Sequence, residues 1–240
     1  MIDTTFDFRS ETPPGKDADS HSPTLRRYHQ LLWSKPLPSG QVFTLTPDPR
    51  AYLVHRSSLG TFALSSDAIT TNLLGRASRV IRKIPDRRRP RYLGYTMGSS
   101  ILFPGNRVDG KATINGARGF HPRIADRFDL TLECIRRHYP GEPSPLAEAL
   151  DRYADFFALF EDFSGYVDFF LLQDLLQPDG ESIRFFHTFD DFKTPAVPMT
   201  TSEYLAYVAA SNAFIRARNR RIRDYAHGQR VLGGATTRRR

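Results

Sequence analysis

Tyr52-Leu53-Val54-His55-Arg56-Ser57-Ser58-Leu59-Gly60-Thr61-Phe62-Ala63-Leu64 reads as two apolar-rich runs folded about a short loop that ends in glycine. β-branched and aromatic residues suit the pleated surface of a sheet, and a loop of this kind joins antiparallel strands. Strands are therefore expected over 52–55 and 61–64. Further along, the period changes. In 124–139 the apolar residues at 124, 128, 132, 135 and 139 recur at helical spacing, with Pro122 at the entry and Pro140-Gly141 as the stop. Ser144 and Pro145 then mark the start of a second helix, with Leu146, Leu150, Tyr153, Phe157 and Phe160 along one face. A hairpin followed by helices places the chain in the α+β class.

The remainder fills in around these elements. Residues 1–24 are polar and interrupted by Pro13-Pro14-Gly15, which predicts an arm ordered only where something holds it. Leu25–Trp33 predicts a short helix capped by Ser22 or Thr24, stopped by Lys35-Pro36-Leu37-Pro38-Ser39-Gly40. Val80, Ile81 and Ile84 suggest a short basic helix ended by Pro85, while 92–103 is β-like and 111–114 suggests a returning strand. The runs 166–172 and 183–187 read as a second hairpin across Gln177-Pro178-Asp179-Gly180. A buried helix over the Phe-rich half is equally compatible with its periodicity. Thr200 and Glu203 form a capping box for a last helix reaching about Tyr225, with Tyr204, Val208, Phe214, Ile215 and Ile222 inward and its arginines outward. The expected organisation is one domain over 25–227, with the arm before it and a basic tail over 228–240. Its fold is an antiparallel sheet built from hairpins, three or four packed helices and a long basic C-terminal helix.

The chain has 240 residues, 40% of them apolar, and a formal charge of +8. That charge is segregated. Residues 76–92 carry +7 and 214–240 carry +8, whereas 142–174 carries −7. Two basic blocks on an acidic body create a local field suited to phosphate backbones or to an acidic protein partner. The plainer reading is that the blocks face the acidic segment inside the fold. A single cysteine, Cys134, makes no internal disulfide and sits on an apolar helical face, as a buried thiol would. With no long apolar run and no basic leader at Met1–Asp7, the expectation is a cytoplasmic protein without membrane contact.

None of the P-loop, dinucleotide, zinc or nucleophile-elbow motifs occurs, and no cofactor or metal is expected. The densest polar constellation runs from Asn106 to Arg127. In it, Arg118 and Arg123 suit a phosphate clamp, and His121 titrates near neutral pH. Lys111, Asn115 and Asp126 are positioned by sequence to assist. The competing reading is a structural network of Asp126, Arg127 and Asp129, with Asn115-Gly116 as a turn. Candidate phosphate-backbone contacts are Arg82, Lys83, Arg87, Arg88, Arg89, Arg91, Arg220 and Arg221. Trp33 with Lys35 is a candidate base-stacking pair that would otherwise anchor the arm.

Two stretches carry a resemblance: 25–40, and 113–139 read with Phe103-Pro104-Gly105-Asn106 before it and Gly165-Tyr166-Val167-Asp168-Phe169-Phe170-Leu171-Leu172-Gln173-Asp174 after it. Together they resemble an uncharacterised bacterial family that bears a domain-of-unknown-function label. This likeness implies a bacterial or phage source and transfers no activity. A shorter likeness joins the 52–66 hairpin, ending in Ser65-Ser66, and the helix holding Phe214-Ile215-Arg216-Ala217-Arg218-Asn219 to endoribonuclease toxins of RNA–antitoxin systems. Those toxins place a lysine just after the serine pair, where this chain has Asp67-Ala68. The resulting expectation is a nucleic-acid-associated protein, RNA foremost, with metal-independent ribonuclease chemistry of toxin or defence type as its enzymatic form. The alternatives are a non-enzymatic binder of an acidic protein and a small-molecule enzyme for a phosphorylated or carboxylate ligand.

Overall fold

The computed structural model describes residues 2–49, 51–69 and 76–236, with side chains described through Gly228. Two short strands, β1 (Lys35–Pro36) and β2 (Val42–Phe43), form a small antiparallel ribbon. The main sheet holds β3 (Thr46–Asp48), β4 (Ala51–Ser57), β5 (Gly60–Ala68) and β6 (Ser100–Pro104), antiparallel throughout and in chain order. The expected hairpin is β4–β5, with Ser57 opposite Gly60 and only Ser58-Leu59 between them. The strands are longer than expected because β5 continues through Ser65, Ser66 and Asp67 to pair with β6. Of the β-like run 92–103, only its end forms strand; Met97–Ser99 is a 3₁₀ turn.

The described helices are α1 (Ala18–His21), α2 (Pro23–Trp33), α3 (Ser78–Ile81), α4 (Ile114–Phe120), α5 (Phe128–His138), α6 (Ala147–Asp151), α7 (Ala154–Ala158), α8 (Phe163–Phe170) and α9 (Thr201–Thr236). Four of them reach eight residues. Ser22 caps α2 through the Leu25 N–H. Thr200 and Glu203 make the reciprocal box at α9, at 3.2 and 3.1 Å. None of these helices is long and apolar enough to cross a membrane.

The 2–24 arm is held at particular points, as expected: Phe8 and Ala18 are buried and the Glu11 carboxylate receives the Ser22 hydroxyl and both the N–H and hydroxyl of Thr24. Several expectations are corrected. The run 111–114 is not a strand, since Thr113 caps α4 through the Gly116 N–H. The helix expected from 124 begins at Phe128, because Ala125 and Asp126 take left-handed backbone (φ 48° and 67°). The second helix is split into α6 and α7, yet its five predicted inward residues are all buried. The Phe-rich run is the helix α8, capped by Asp162 and ended by left-handed Leu171; of the second hairpin only a Leu176–Ile183 bridge forms. Where a tail was expected over 228–240, α9 continues to Thr236, and residues 237–240 lie outside those described.

The core is aromatic. Phe160 meets Tyr166, Phe169 and Phe170 at centroid distances of 5.3, 5.0 and 5.3 Å, and Trp33 meets Phe170 at 5.4 Å. Such tilted and edge contacts add to the area that large rings bury. Arg218 departs from the outward arginines of α9, being fully buried. It donates to the carbonyls of Gly98 (3.1 Å), Ser100 (2.8 Å) and Phe170 (2.9 Å) and has no carboxylate within 4 Å among the described residues. Burial pushes its guanidinium down to about 9. It ties α9, α8 and β6 together. Cys134 is buried, and burial raises its thiol to about 12, which removes it as a nucleophile at neutral pH.

Candidate functional site

The constellation between Asn106 and Arg127 is brought together, but inward. Arg118 lies on the inner side of α4, and all five of its N–H groups are occupied. Nε donates to Thr131, Nη1 to Asp67 (2.5 Å) and the Ala68 carbonyl, and Nη2 to the carbonyls of Ile69 and Asp126. The Asp126 carboxylate is 2.9 Å from Nη1. Asn115, with its amide nitrogen toward Asp67, donates to both oxygens of that carboxylate at 2.9 and 3.2 Å. Burial, and then the nearby Asp126 charge, push Asp67 up to about 6 against the opposing pull of the Arg118 guanidinium. A guanidinium with no spare donor and no exposure cannot clamp an incoming phosphate. Arg127 is likewise buried against Asp129, which also accepts the Phe186 N–H.

The other members of that set scatter. Lys111 pairs with Glu148 on the surface at 2.5 Å. His121 follows α4, its Nδ1 accepting the Arg123 N–H at 3.2 Å; burial and the Arg123 charge lower its pKa. Arg123 lines a small pocket of about 80 Å³ with Arg127, His187 and Asp190. His121 has no acid or base within hydrogen-bond reach among the described residues, so the six residues do not assemble a catalytic group.

The basic blocks do meet. α3 packs against α9. Asn212 of α9 donates to the Arg91 carbonyl (2.9 Å) and accepts the Leu93 N–H (3.0 Å). Two turns on, Asn219 accepts the Gly98 N–H and donates to Thr96. The segment 91–98 is thereby stitched along α9, so the block ending at Arg91 runs on to Arg216 and Arg220. Arg76, Arg79, Arg82, Lys83, Arg87, Arg88, Arg91, Arg216 and Arg220 are exposed. None of these nine has a carboxylate within 4 Å among the described residues. Arg89 pairs with Asp86 (2.8 Å), Arg221 with Asp174 (2.8 Å), and Arg223 with Asp224 (3.3 Å). Among the described residues, Arg221–Asp174 is the one pair that joins a basic block to the acidic segment. That segment's other partners are Arg136, His138, Lys111 and Arg152. Trp33 is fully buried and offers no ring face to a base. Lys35 lies over the rings of Phe169, Tyr225 and Trp33 at 4.6, 4.7 and 5.2 Å, and burial lowers its ammonium to about 8.

One constellation went unread in the sequence. His29 and Trp33, four apart on the inner face of α2, are joined by the indole N–H donating to His29 Nδ1 at 2.9 Å. An indole only donates, so Nδ1 is the acceptor and the imidazole proton sits on Nε2. That N–H reaches the hydroxyls of Ser66 and Ser100, each at 3.0 Å. Burial, and then the Arg218 charge, lower His29 to about 3 and keep it neutral. His29 is therefore a fixed donor to Ser66 and not its general base. Ser66 donates onward to the Asp19 carboxylate at 3.3 Å. Burial, and then the nearby Asp67 charge, raise the Asp19 pKa well above its ordinary value. Asp19 lines a cleft of about 390 Å³ with Arg26, Asp48, Tyr52, Ser65 and Ser66. The signal within reach was the i, i+4 pairing of His29 with Trp33. Asp19 lay in what read as a polar arm.

Compared with known proteins, residues 2–222 match the model of a family of unknown function, DUF6994. No curated protein and no solved structure matches the chain.

Proposed function

We propose that this chain, which belongs to the DUF6994 family, is a nucleic-acid-binding protein, RNA foremost, that holds the phosphate backbone on the face formed by residues 76–91 and the outward side of α9. The observation that carries this reading is the set of nine exposed cations without an ion pair among the described residues, on two segments stitched together by Asn212 and Asn219. Paired surface arginines would be a solvated face. Unpaired ones along a continuous track attract a polyanion and release its counterions. The 106–127 set plays no part in this function: Arg118 and Asp126 are structural, and His121 lies apart from them.

The test is the salt dependence of binding to a labelled single-stranded RNA. Each phosphate that the protein no longer neutralises flattens the slope of log affinity against log salt by about 0.7. Replacing Arg87, Arg88 and Arg91 together by alanine is expected to flatten it by about 2 while leaving the fold intact. An unaltered slope, or no salt-sensitive binding by the native chain, rejects the reading. Binding to an acidic protein with equal strength in that variant would point to a partner elsewhere on the surface.

A further inference from the structure

The cleft beside Asp19 is where the buried relay reaches the surface, and its ionisable groups are unevenly used. Asp19 receives one hydrogen bond, from Ser66, on one carboxylate oxygen; its other oxygen has none among the described residues. A carboxyl group keeps acceptor capacity whether or not it carries its proton, so this side chain has open sites facing the cleft. Arg26 lies over the Tyr52 ring at 4.6 Å with no carboxylate within 4 Å among the described residues. The other acid of the cleft, Asp48, stands 3.6 Å from Arg56. An organic cation would meet the Arg26 charge here, with Asp48 already matched. A group that offers a hydroxyl to Asp19 and an adjacent anionic oxygen to Arg26 meets both.

Both groups are held ready. Trp33 fixes the His29 tautomer, His29 donates to Ser66, and Ser66 donates to Asp19; Arg26 is held over the Tyr52 ring. Such prior positioning removes ordering losses on binding.

We infer that this cleft seats one ribonucleotide of the bound strand, with Asp19 accepting its 2′-hydroxyl and Arg26 holding the neighbouring phosphate, so that RNA is told from DNA here. The inference rests on the nucleic-acid reading for its polymer. It goes beyond that reading because phosphate contacts alone do not distinguish the sugars, whereas the 2′-hydroxyl does.

The test compares a fluorescein-labelled oligouridylate with its 2′-deoxy counterpart at one salt concentration, by anisotropy, on the full chain. One hydrogen bond predicts a preference of about fivefold for the ribose strand. Asp19→Ala is expected to bring the ratio to near one with the salt slope unchanged. Asp19→Asn keeps the size and an acceptor for Ser66, and is expected to lower the ratio part-way. Uridine 3′-phosphate and its 2′-deoxy form, titrated by calorimetry, probe the cleft without the basic track. Equal affinity for both strands, or a preference that survives Asp19→Ala in a folded variant, overturns the assignment. Sugar discrimination by the mononucleotides alone overturns the polymer seat. If the native chain binds neither strand but still distinguishes the mononucleotides, the nucleic-acid reading fails and the cleft stands.

Discussion

Replacing Arg118 by alanine separates a structural arginine from a phosphate clamp. The side chain is fully buried, its five N–H groups are all engaged, and it stands between Asp67 and Asp126 at 2.5 and 2.9 Å. Its removal leaves those carboxylates in the core without a countercharge. Breaking a buried pair from one side destabilises by about 3–5 kcal/mol. For a domain this size, a urea m-value of about 3 kcal/mol/M turns that loss into a fall in midpoint of roughly 1–1.7 M. Total stabilities are on the order of 5–15 kcal/mol, so the variant is expected to fold but to melt early. The assay is urea unfolding followed by far-UV circular dichroism, with RNA binding measured at low temperature. Adding Asp67→Asn and Asp126→Asn to Arg118→Met is expected to recover part of the loss, since no unmatched charge then remains. An alanine variant with the native midpoint and abolished RNA binding would refute this account and return Arg118 to the ligand.

His121→Ala is expected to change the unfolding free energy by less than about 0.5 kcal/mol and to leave RNA binding alone, as a partly exposed side chain with one local hydrogen bond should; a collapse of either measurement would contradict it. Stability is also expected to depend on pH through Asp67. Its carboxyl is raised from 3.8 to about 6 in the folded state, so the fold holds that proton more tightly than the unfolded chain. The resulting stabilisation is fully present below the unfolded value and is lost as pH rises through about 6. The urea midpoint should therefore fall between about pH 4 and 6 more steeply in the native chain than in Asp67→Asn, and equal slopes would refute the shift.

What could be read in the sequence was what short range decides. The Ser22 cap, the Thr200–Glu203 box and the β4–β5 turn each involve residues within four positions of one another, and all three form as expected. The readings that failed depend on distant partners. Arg118 looks like any loop arginine until Asp67, fifty-one positions away, is folded against it. Asp19 looks like arm until Ser66 arrives from forty-seven positions away. Phe163–Phe170 is apolar nearly all round, which gives a strand and a buried helix the same pattern, and the Asp162 cap decided for helix. Arg218 shares its spacing with the outward arginines, and only three convergent carbonyls mark it as buried.

The lone indole of the chain stands at the root of the Asp19 relay, with Phe170 at 5.4 Å and the Arg218 guanidinium 5.9 Å from its ring. Tryptophan emission from this protein thus comes from one address, in fully buried surroundings and with a neutral imidazole on the ring nitrogen. Its wavelength and lifetime report that junction alone, unmixed with any other fluorophore of the same colour. Occupation of the cleft at the far end of the relay would be visible in ordinary fluorescence, with no label attached to the protein.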